Sequence, residues 1–351
     1  MPQPDDAGPR IGSLCTGYGG LDTAVQQVFG GTTAWTSDID PGAARIIAHR
    51  MPEAPNLGDL TTTNWAQVEP VDIVTGGYPC QPFSTAGKRK GTEDARHIWP
   101  HIADALRVLR PRIAIFENVA GHLRLGFDTV LRDLAAIGFD AQWCLVRASE
   151  IGAPHQRQRL FVLATAQDTH REPRDQRRLT APGQEESRGA WADAGGRGGA
   201  PAAHAAADTS RAGLEVRRVE PDGPELPALE RGRREPPADP SRVGQGEGRP
   251  EPARLEGRPD TPLSSTPNWG AYAPAIARWE ARTGRRAPWA TDDRRRLNPA
   301  FVEWLMGLPA GWVTQVPDLT RTQQLKALGN GVVPQQAEAA IRLLHQRATA
   351  V

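Results

Sequence analysis

An α/β fold built on a doubly wound sheet is predicted for residues 10–167, and three observations predict it. Short apolar runs alternate along the chain with segments of helical periodicity, the signature of repeated βαβ units. "VDIV" is a continuous apolar run, as expected of a strand buried on both faces. Glycine pairs close the first and third of these runs, where an open α/β sheet places its ligands.

The elements follow in order. "RIGSLCTG" reads as a strand and turn, and the helix after it carries Leu21, Ala24, Val25 and Val28 at i, i+3, i+4 and i+7. "AWTS" is a second strand and "VDIVTGG" a third or fourth. Trp99, Ile102, Leu106 and Leu109 give an amphipathic helix, "RIAIFEN" a strand, and Phe127, Val130, Leu131 and Leu134 another helix. "QWCLVRAS" and "RLFVLAT" are the closing strands.

From 168 to 267 the periodicity ends. The stretch is rich in Arg, Pro and Gly, Trp191 is its one aromatic residue, and it contains no Phe, Tyr, Ile or Met. Such a composition buries too little apolar surface to offset its ordering entropy, so a mostly disordered insert is expected. A degenerate repeat, "DTHR" at 168, "DTSR" at 208 and "DPSR" at 239, runs through it. A DNA-reading arm is the alternative, against which the interleaved acids argue. Periodicity resumes at "NWGAYAPAIARWEARTGRR", where Ala275, Trp279 and Arg282 recur at helical spacing. "NPAFVEWLMGLP" is a Pro-primed helix, and "LGNGVVPQQAEAAIRLLHQR" a turn and then a helix with Ala337, Ala340, Ile341 and Leu344 on one face.

The 351 residues suffice for one large domain or two. The three cysteines, Cys15, Cys80 and Cys144, form no disulfide framework and share no metal-ligand spacing, so a reducing cytosol and no bound metal are expected. The opening "MPQPDDAGPR" lacks a signal pattern, and no apolar run is long enough to span a bilayer; a cytoplasmic protein is expected. The net charge of +1 conceals a basic excess in residues 268–351.

The chemistry concentrates at strand ends. In "GGYPCQPFS" Pro79 and Pro82 fix their own φ and push Tyr78 and Gln81 toward extended backbone, so Cys80 sits on a preset turn. A small buried hydrophobe beside a turn is the bland alternative. "CTGYGG" lets backbone approach a ligand before a helix N-terminus, although the full dinucleotide fingerprint is missing. Asp38, about twenty residues on, suits ribose hydroxyls. Glu117 in "FENV" emerges at the same sheet end as Cys80 and is a candidate general acid, or a loop acid. Arg157 and Arg159 in "HQRQRLFVLA" share a face by their spacing; they could reach one cleft and favour a thiolate, or be solvated edge residues.

Taken in order, "GGYPCQPFS", "FENV", "HQRQR" and "LGNGVVP" resemble the DNA (cytosine-5) methyltransferase family, and the resemblance extends to "GKRKGTEDAR" and "RRLNPAFVEWLMGLP". It covers roughly residues 10–167 and 290–348. What it implies is a Rossmann-like methyltransferase sheet formed by 10–167 with 297–348, a low-complexity insert over 168–267, and a small, partly disordered target-recognition region whose reader lies in 268–296, where Trp269, Tyr272 and Trp279 interleave with arginines. It implies Cys80 as the nucleophile toward C6 of a flipped cytosine, Glu117 at N3, and Arg157 and Arg159 holding the base and supporting the thiolate. The resemblance points to S-adenosylmethionine as methyl donor, held by Leu14, Tyr18, Gly19, Gly20, Asp38, Ile39, Asp59, Leu60, Asn330 and Val332. It further implies a loop from Phe83 to Ile98, hinged at Gly87 and Gly91, that closes over the base. Double-stranded DNA is the implied partner, a cognate restriction endonuclease a candidate second one, and the protein is expected to act as a monomer. Cys15 stands where the family usually has phenylalanine, His155 where glutamine is commoner, and Asn298 where threonine is. An RNA methyltransferase with the same core, an inactive DNA-binding protein and a nucleotide-dependent dehydrogenase are the alternative readings, the last disfavoured by the Pro-Cys-Gln turn.

Overall fold

The protein's structure, a computed structural model, describes residues 8–79, 98–167 and 267–350. All of these belong to one compact unit, Met1–Arg171 together with Leu255–Val351. The Cys80 thiol, most of the Phe83 to Ile98 loop and nearly all of the 168–267 stretch lie outside the described residues.

Six strands form one sheet in the order β2-β1-β3-β4-β6-β5. They are β1 (Arg10–Leu14), β2 (Thr32–Ser37), β3 (Ile73–Gly76), β4 (Ile113–Val119), β5 (Phe139–Val146) and β6 (Arg159–Ala166). The first four pair in parallel, while β6 runs antiparallel to both β4 and β5. The doubly wound sheet expected from the sequence is therefore present, with one reversed strand slotted between β4 and β5.

Strand alternation divides the core in two. Ala114, Phe116, Leu160, Val162 and Ala164 face helices α3 (Trp99–Leu109) and α4 (Phe127–Ile137), while Ile115, Phe161 and Leu163 face α1 (Gly20–Phe29) and the last helix. Both faces are dry because each helix supplies an apolar stripe at 3.6 spacing. Ile102, Leu106 and Leu109 do so in α3 and Val130 and Leu134 in α4, as the sequence pattern required. Helix α2 (Pro41–Arg50), which sequence periodicity did not single out, buries little beyond Ile46 and Ile47; it is set by its first turn, where the Asp40 carboxylate caps the amides of Gly42 and Ala43 and Pro41 occupies the first position.

The C-terminal residues supply α5 (Ala273–Thr283), α6 (Pro299–Leu305), α7 (Arg321–Asn330) and α8 (Pro334–Thr349). Ala337, Ala340, Ile341 and Leu344 pack α8 against α1, β5 and β6, so the end of the chain completes the sheet's second face. The sequence placed only a turn at "LGNGVVP". The structure begins a helix seven residues earlier, at a reciprocal cap between Thr320 and Gln323, and that helix ends at Asn330. A third apolar cluster joins Tyr18 and Ile46 to Ile276, Trp279, Trp304, Val313 and Leu328. Trp279 is fully buried and its indole N–H donates to the Trp304 carbonyl at 2.9 Å, so it is a core residue here and not an interleaved surface aromatic. Spacing places it three residues from buried Ile276 on one helix face, whereas Tyr272, the N-cap just ahead of the helix, is 62% exposed. No helix among the described residues is long and apolar enough to cross a membrane.

Candidate active site

The carboxyl ends of β1 to β4 open into a cavity of about 680 Å³, within the size range of small-molecule sites. Leu14 ends β1 on its floor, and the glycine turn follows. Cys15 adopts φ 52°, Gly17 φ 60° and Gly19 φ 79°, left-handed values that glycine accommodates and that turn the chain tightly into α1. No N-cap side chain covers the start of α1 at the cavity, and the buried Asp22 lies in its first turn.

Asp38 leaves β2 at the cavity wall. Its two carboxylate oxygens accept from the backbone amides of Gly17 at 2.8 Å and Asp40 at 2.9 Å, which ties the glycine turn to the start of α2. Burial raises the Asp38 pKa despite those bonds. Beside it Ile39 is 72% exposed, a large apolar side chain at the cavity rim. Lys326 pairs with Asp40 across the same rim.

The C-terminal turn closes the far wall. Asn330 and Val332 line the cavity, and the Val332 carbonyl accepts the Tyr18 hydroxyl at 2.6 Å. A side chain at Gly331 would overlap the Tyr18 ring, and one at Gly20 would overlap the Val332 carbonyl, so the two turns approach as closely as backbone can. Tyr18 is 1% exposed; its ring is sealed against this turn. Gly19 binds back to Thr16 and does not line the cavity, nor do Asp59 and Leu60. Asp59 is exposed and accepts the amide and hydroxyl of Thr61, while Leu60 is buried in the core.

Glu117 near the end of β4 is 6% exposed, and its Oε1 meets Arg159 Nε at 2.8 Å. The antiparallel pairing of β4 with β6 sets Arg159 opposite Val119 and so brings its side chain alongside the carboxylate. Burial pushes the Glu117 pKa up, Arg159 and then Arg157 pull it down, and burial wins, leaving it at about 7. Gly77 follows β3 directly, and a Cβ there would lie 3.6 Å from Glu117 Oε2. Tyr78 and Pro79 then continue along the cavity wall, and the Asn118 side chain donates to the Tyr78 carbonyl at 3.1 Å. The chain thus reaches Pro79, the residue before Cys80, beside the Glu117–Arg159 pair.

Arg157 is placed differently from its partner. It precedes β6 with φ 32°, where strand alternation does not apply, and its guanidinium donates to the carbonyls of Gly329 at 2.8 Å and Gly331 at 2.5 Å. It braces the C-terminal turn while remaining close enough to stabilise a Glu117 charge. Gln336 in turn holds the Arg157 carbonyl at 2.9 Å and that of Val146 at 2.7 Å. Cys15 lines the cavity, but burial and then Asp38 push its thiol up to about 12, and burial holds Cys144 at about 11. Neither is a thiolate at neutral pH. His155 Nε2 donates to the Leu305 carbonyl at the end of α6, 3.0 Å away, and the Asn298 side chain caps α6 by accepting the Ala300 amide at 3.0 Å.

Sequence reasoning passed over Asp22. This acid is 1% exposed in the first turn of α1, takes the Thr75 hydroxyl, and has its pKa raised chiefly by burial. It joins α1 to β3 under the glycine turn. The one available signal was its position three residues after a glycine in a first helical turn.

The model of the C-5 cytosine-specific DNA methylase family matches residues 10–197, more than half of the chain. The chain belongs to this family. Among curated relatives it is 32% identical over 166 residues to the type II methyltransferase M.HgiCII of Herpetosiphon aurantiacus, a match covering 45% of this chain and 37% of that protein. It is 32% identical over 140 residues to the type II methyltransferase M.NgoBV of Neisseria gonorrhoeae, covering 36% of this chain and 33% of that protein. The chain therefore spans about a third of the length of these relatives. The solved structure of S. pombe Dnmt2 methyltransferase superposes over 97% of this chain and 99% of its own, with a TM-score of 0.55 and 16% identity, a likeness of fold. In that fold the cavity lies where methyltransferase sheets of the Rossmann type carry their ligand, at the carboxyl ends of the parallel strands.

Proposed function

We propose that the protein is a site-specific DNA cytosine-5 methyltransferase that uses S-adenosylmethionine. The observation that carries the reading is the buried Glu117–Arg159 pair, 2.8 Å apart, on the wall reached by Gly77, Tyr78 and Pro79 immediately before Cys80. A carboxyl near pKa 7 in such a place holds a proton for a ring nitrogen at neutral pH and can release it.

In the proposed reaction the Cys80 thiolate adds to C6 of a cytosine flipped from the duplex, the electron pair displaced through the ring arrives at N3, and N3 takes a proton from Glu117, which is left as a carboxylate. Arg159 orients Glu117 and places positive charge near the thiolate. An unperturbed thiol is a few per cent ionised at pH 7, so that charge raises the reactive fraction. Bound S-adenosylmethionine supplies an electrophilic methyl group to C5. The N3 proton returns to Glu117 as C5 takes the methyl group, and loss of the C5 proton to a base with expulsion of the sulfur from C6 then restores the aromatic ring, the protonated Glu117 and a free Cys80.

The cavity residues suit that donor. Asp38 is positioned for ribose hydroxyls, exposed Ile39 for the adenine face, and the uncapped start of α1 for a carboxylate. Leu14, Tyr18, Gly20, Asn330 and Val332 form the remaining walls and Gly19 sets the turn, while Asp59 and Leu60 stay outside the lining. Arg157 acts in this reading by bracing the C-terminal wall. Residues 10–167 and 297–348 form the catalytic domain, 168–267 an insert, and 268–296 the target reader, with Tyr272 and Trp289 as its exposed aromatics.

Incubation with labelled S-adenosylmethionine and either duplex DNA or transfer RNA tests the reading. Label in DNA, mapped to cytosine C5, is expected. Label in RNA alone assigns the RNA alternative, and label in neither assigns a binding protein.

A further inference from the structure

Tyr78 and His122 form a buried hydrogen-bonded pair that the proposed reaction does not use. Tyr78 is 4% exposed and is the last core side chain before Cys80. Its hydroxyl lies 2.9 Å from His122 Nε2, and His122 Nδ1 lies 2.9 Å from the Leu125 carbonyl. A carbonyl only accepts, so Nδ1 carries the ring proton and Nε2 accepts from the tyrosine hydroxyl. This is one neutral tautomer, and burial lowers the His122 pKa and so keeps it neutral.

The pair does more than fill space. The Tyr78 ring already packs against Trp99 at 5.5 Å, Phe116 at 6.0 Å and His122 at 5.6 Å, and a phenylalanine would fill the same volume. What the hydroxyl adds is direction. It fixes the rotation of the ring and, through it, the backbone at Gly77–Pro79, whose carbonyl at Tyr78 is also held by Asn118. His122 belongs to the short 3-10 helix Ala120–Arg124 that directly follows β4. The chain that carries Glu117 is thereby bonded to the chain that leads to Cys80. Trp99 begins α3 and is itself anchored by its indole N–H to Asp133 at 2.8 Å, so the Tyr78–Trp99 contact also joins the residues on either side of 80–97.

We propose that His122 is a positioning residue, which through the Tyr78 hydroxyl fixes the backbone at Gly77–Pro79 that leads into the nucleophile. This rests on the methyltransferase reading above. A misplacement of about 1 Å can cost on the order of a hundredfold in rate, so loss of one directing bond is expected to cost about tenfold in kcat.

Three variants test it: Tyr78→Phe, which removes only the hydroxyl; His122→Phe, which keeps a ring; and His122→Gln, which restores a donor and an acceptor. The readouts are kcat, KM for donor and DNA, melting temperature, and the rate of alkylation of Cys80 by iodoacetamide, followed peptide by peptide. Tyr78→Phe is expected to lower kcat about tenfold and slow Cys80 alkylation, with both KM values within about twofold and melting little changed. The Tyr78→Phe, His122→Phe double variant should be no worse than His122→Phe alone, and His122→Gln should recover part of kcat. Unchanged kcat and unchanged alkylation in Tyr78→Phe would overturn the proposal, as would losses that simply track melting. A Cys80→Ser control keeps the two ideas apart. If that control retained turnover, the methyltransferase mechanism would fail, while the alkylation rates in the other variants would still decide whether His122 positions Cys80.

Discussion

Replacing Glu117 by glutamine removes an ionisable group while preserving shape, and its effect on stability can be worked out. The wild-type carboxyl rises from the ordinary 4.5 to about 7 on folding. At 1.36 kcal/mol per pH unit this corresponds to about 3 kcal/mol. The sign follows from proton binding: between those values the folded chain keeps the proton that the unfolded chain has released. The contribution to stability is thus complete below 4.5 and is lost as pH rises toward 7 and beyond. Glutamine never ionises, so the variant should lack that decline. Urea denaturation of the donor-free protein at pH 5, 6, 7 and 8 measures it. The wild type should lose stability relative to Glu117→Gln by up to about 3 kcal/mol across this range, a figure that already includes the pull of Arg159 and Arg157 on the carboxyl. In the same variant kcat should fall by about 10²–10⁴, the usual worth of a general acid, and wild-type turnover should decline above pH 7 as the carboxyl empties. Parallel stability profiles for the two proteins would refute the account of Glu117 as a proton-holding buried acid.

Other perturbations separate the parts of the site. Cys80→Ser should abolish methyl transfer and leave donor affinity, measured by calorimetry, within a few-fold; ordinary turnover would sink the nucleophile assignment. Gly331→Ala drives a methyl group into the Tyr18 ring, so it should lower the melting temperature and weaken donor binding together, and a silent substitution would show that the two turns do not pack as described. Asp38→Ala frees the amides of Gly17 and Asp40 and should cost donor binding more than DNA binding in paired titrations. Deletion within 185–260 should leave melting and donor binding intact, and loss of donor binding would show the insert to be part of the core.

How much of this was legible in the sequence differed by kind of signal. Apolar runs and 3.6 spacing located every strand of the sheet and helices α1, α3, α4, α5, α6 and α8, because burial on one or both faces dictates those patterns. They missed α2 and the first turns of α7, where capping by Asp40 and by Thr320 with Gln323 matters more than an apolar stripe. They also could not show that β6 is reversed, since direction is set by which strand it joins and not by its own residues. The cavity lining was legible where a strand gives way to a glycine or an acid, as at Gly77, Asp38 and Glu117. It was illegible where two distant turns meet. Nothing in "HQRQR" shows that Arg157 turns away from Arg159 to the carbonyls of Gly329 and Gly331, because that depends on a φ of 32° just ahead of the strand.

The same meeting of distant turns explains why the C-terminal residues belong to the cavity at all. Tyr18 follows β1, and its hydroxyl, backbone carbonyl and ring are all consumed by residues some three hundred positions on: Val332 at 2.6 Å, the Trp312 indole at 2.9 Å and the Cα of Gly331. Arg157 adds two more bonds to the same turn, and Gln336 returns from α8 to hold Arg157 in place. The turn at 329–332 is thus fixed from three sides before any ligand enters. Since a bound donor would contact both this turn and the glycine turn at 15–20, ordering costs that would otherwise oppose binding are already met by folding. Among the described residues, those that fix the turn lie at 18, 157 and 336, on either side of 168–267, so a deletion within 185–260 is expected to spare this wall.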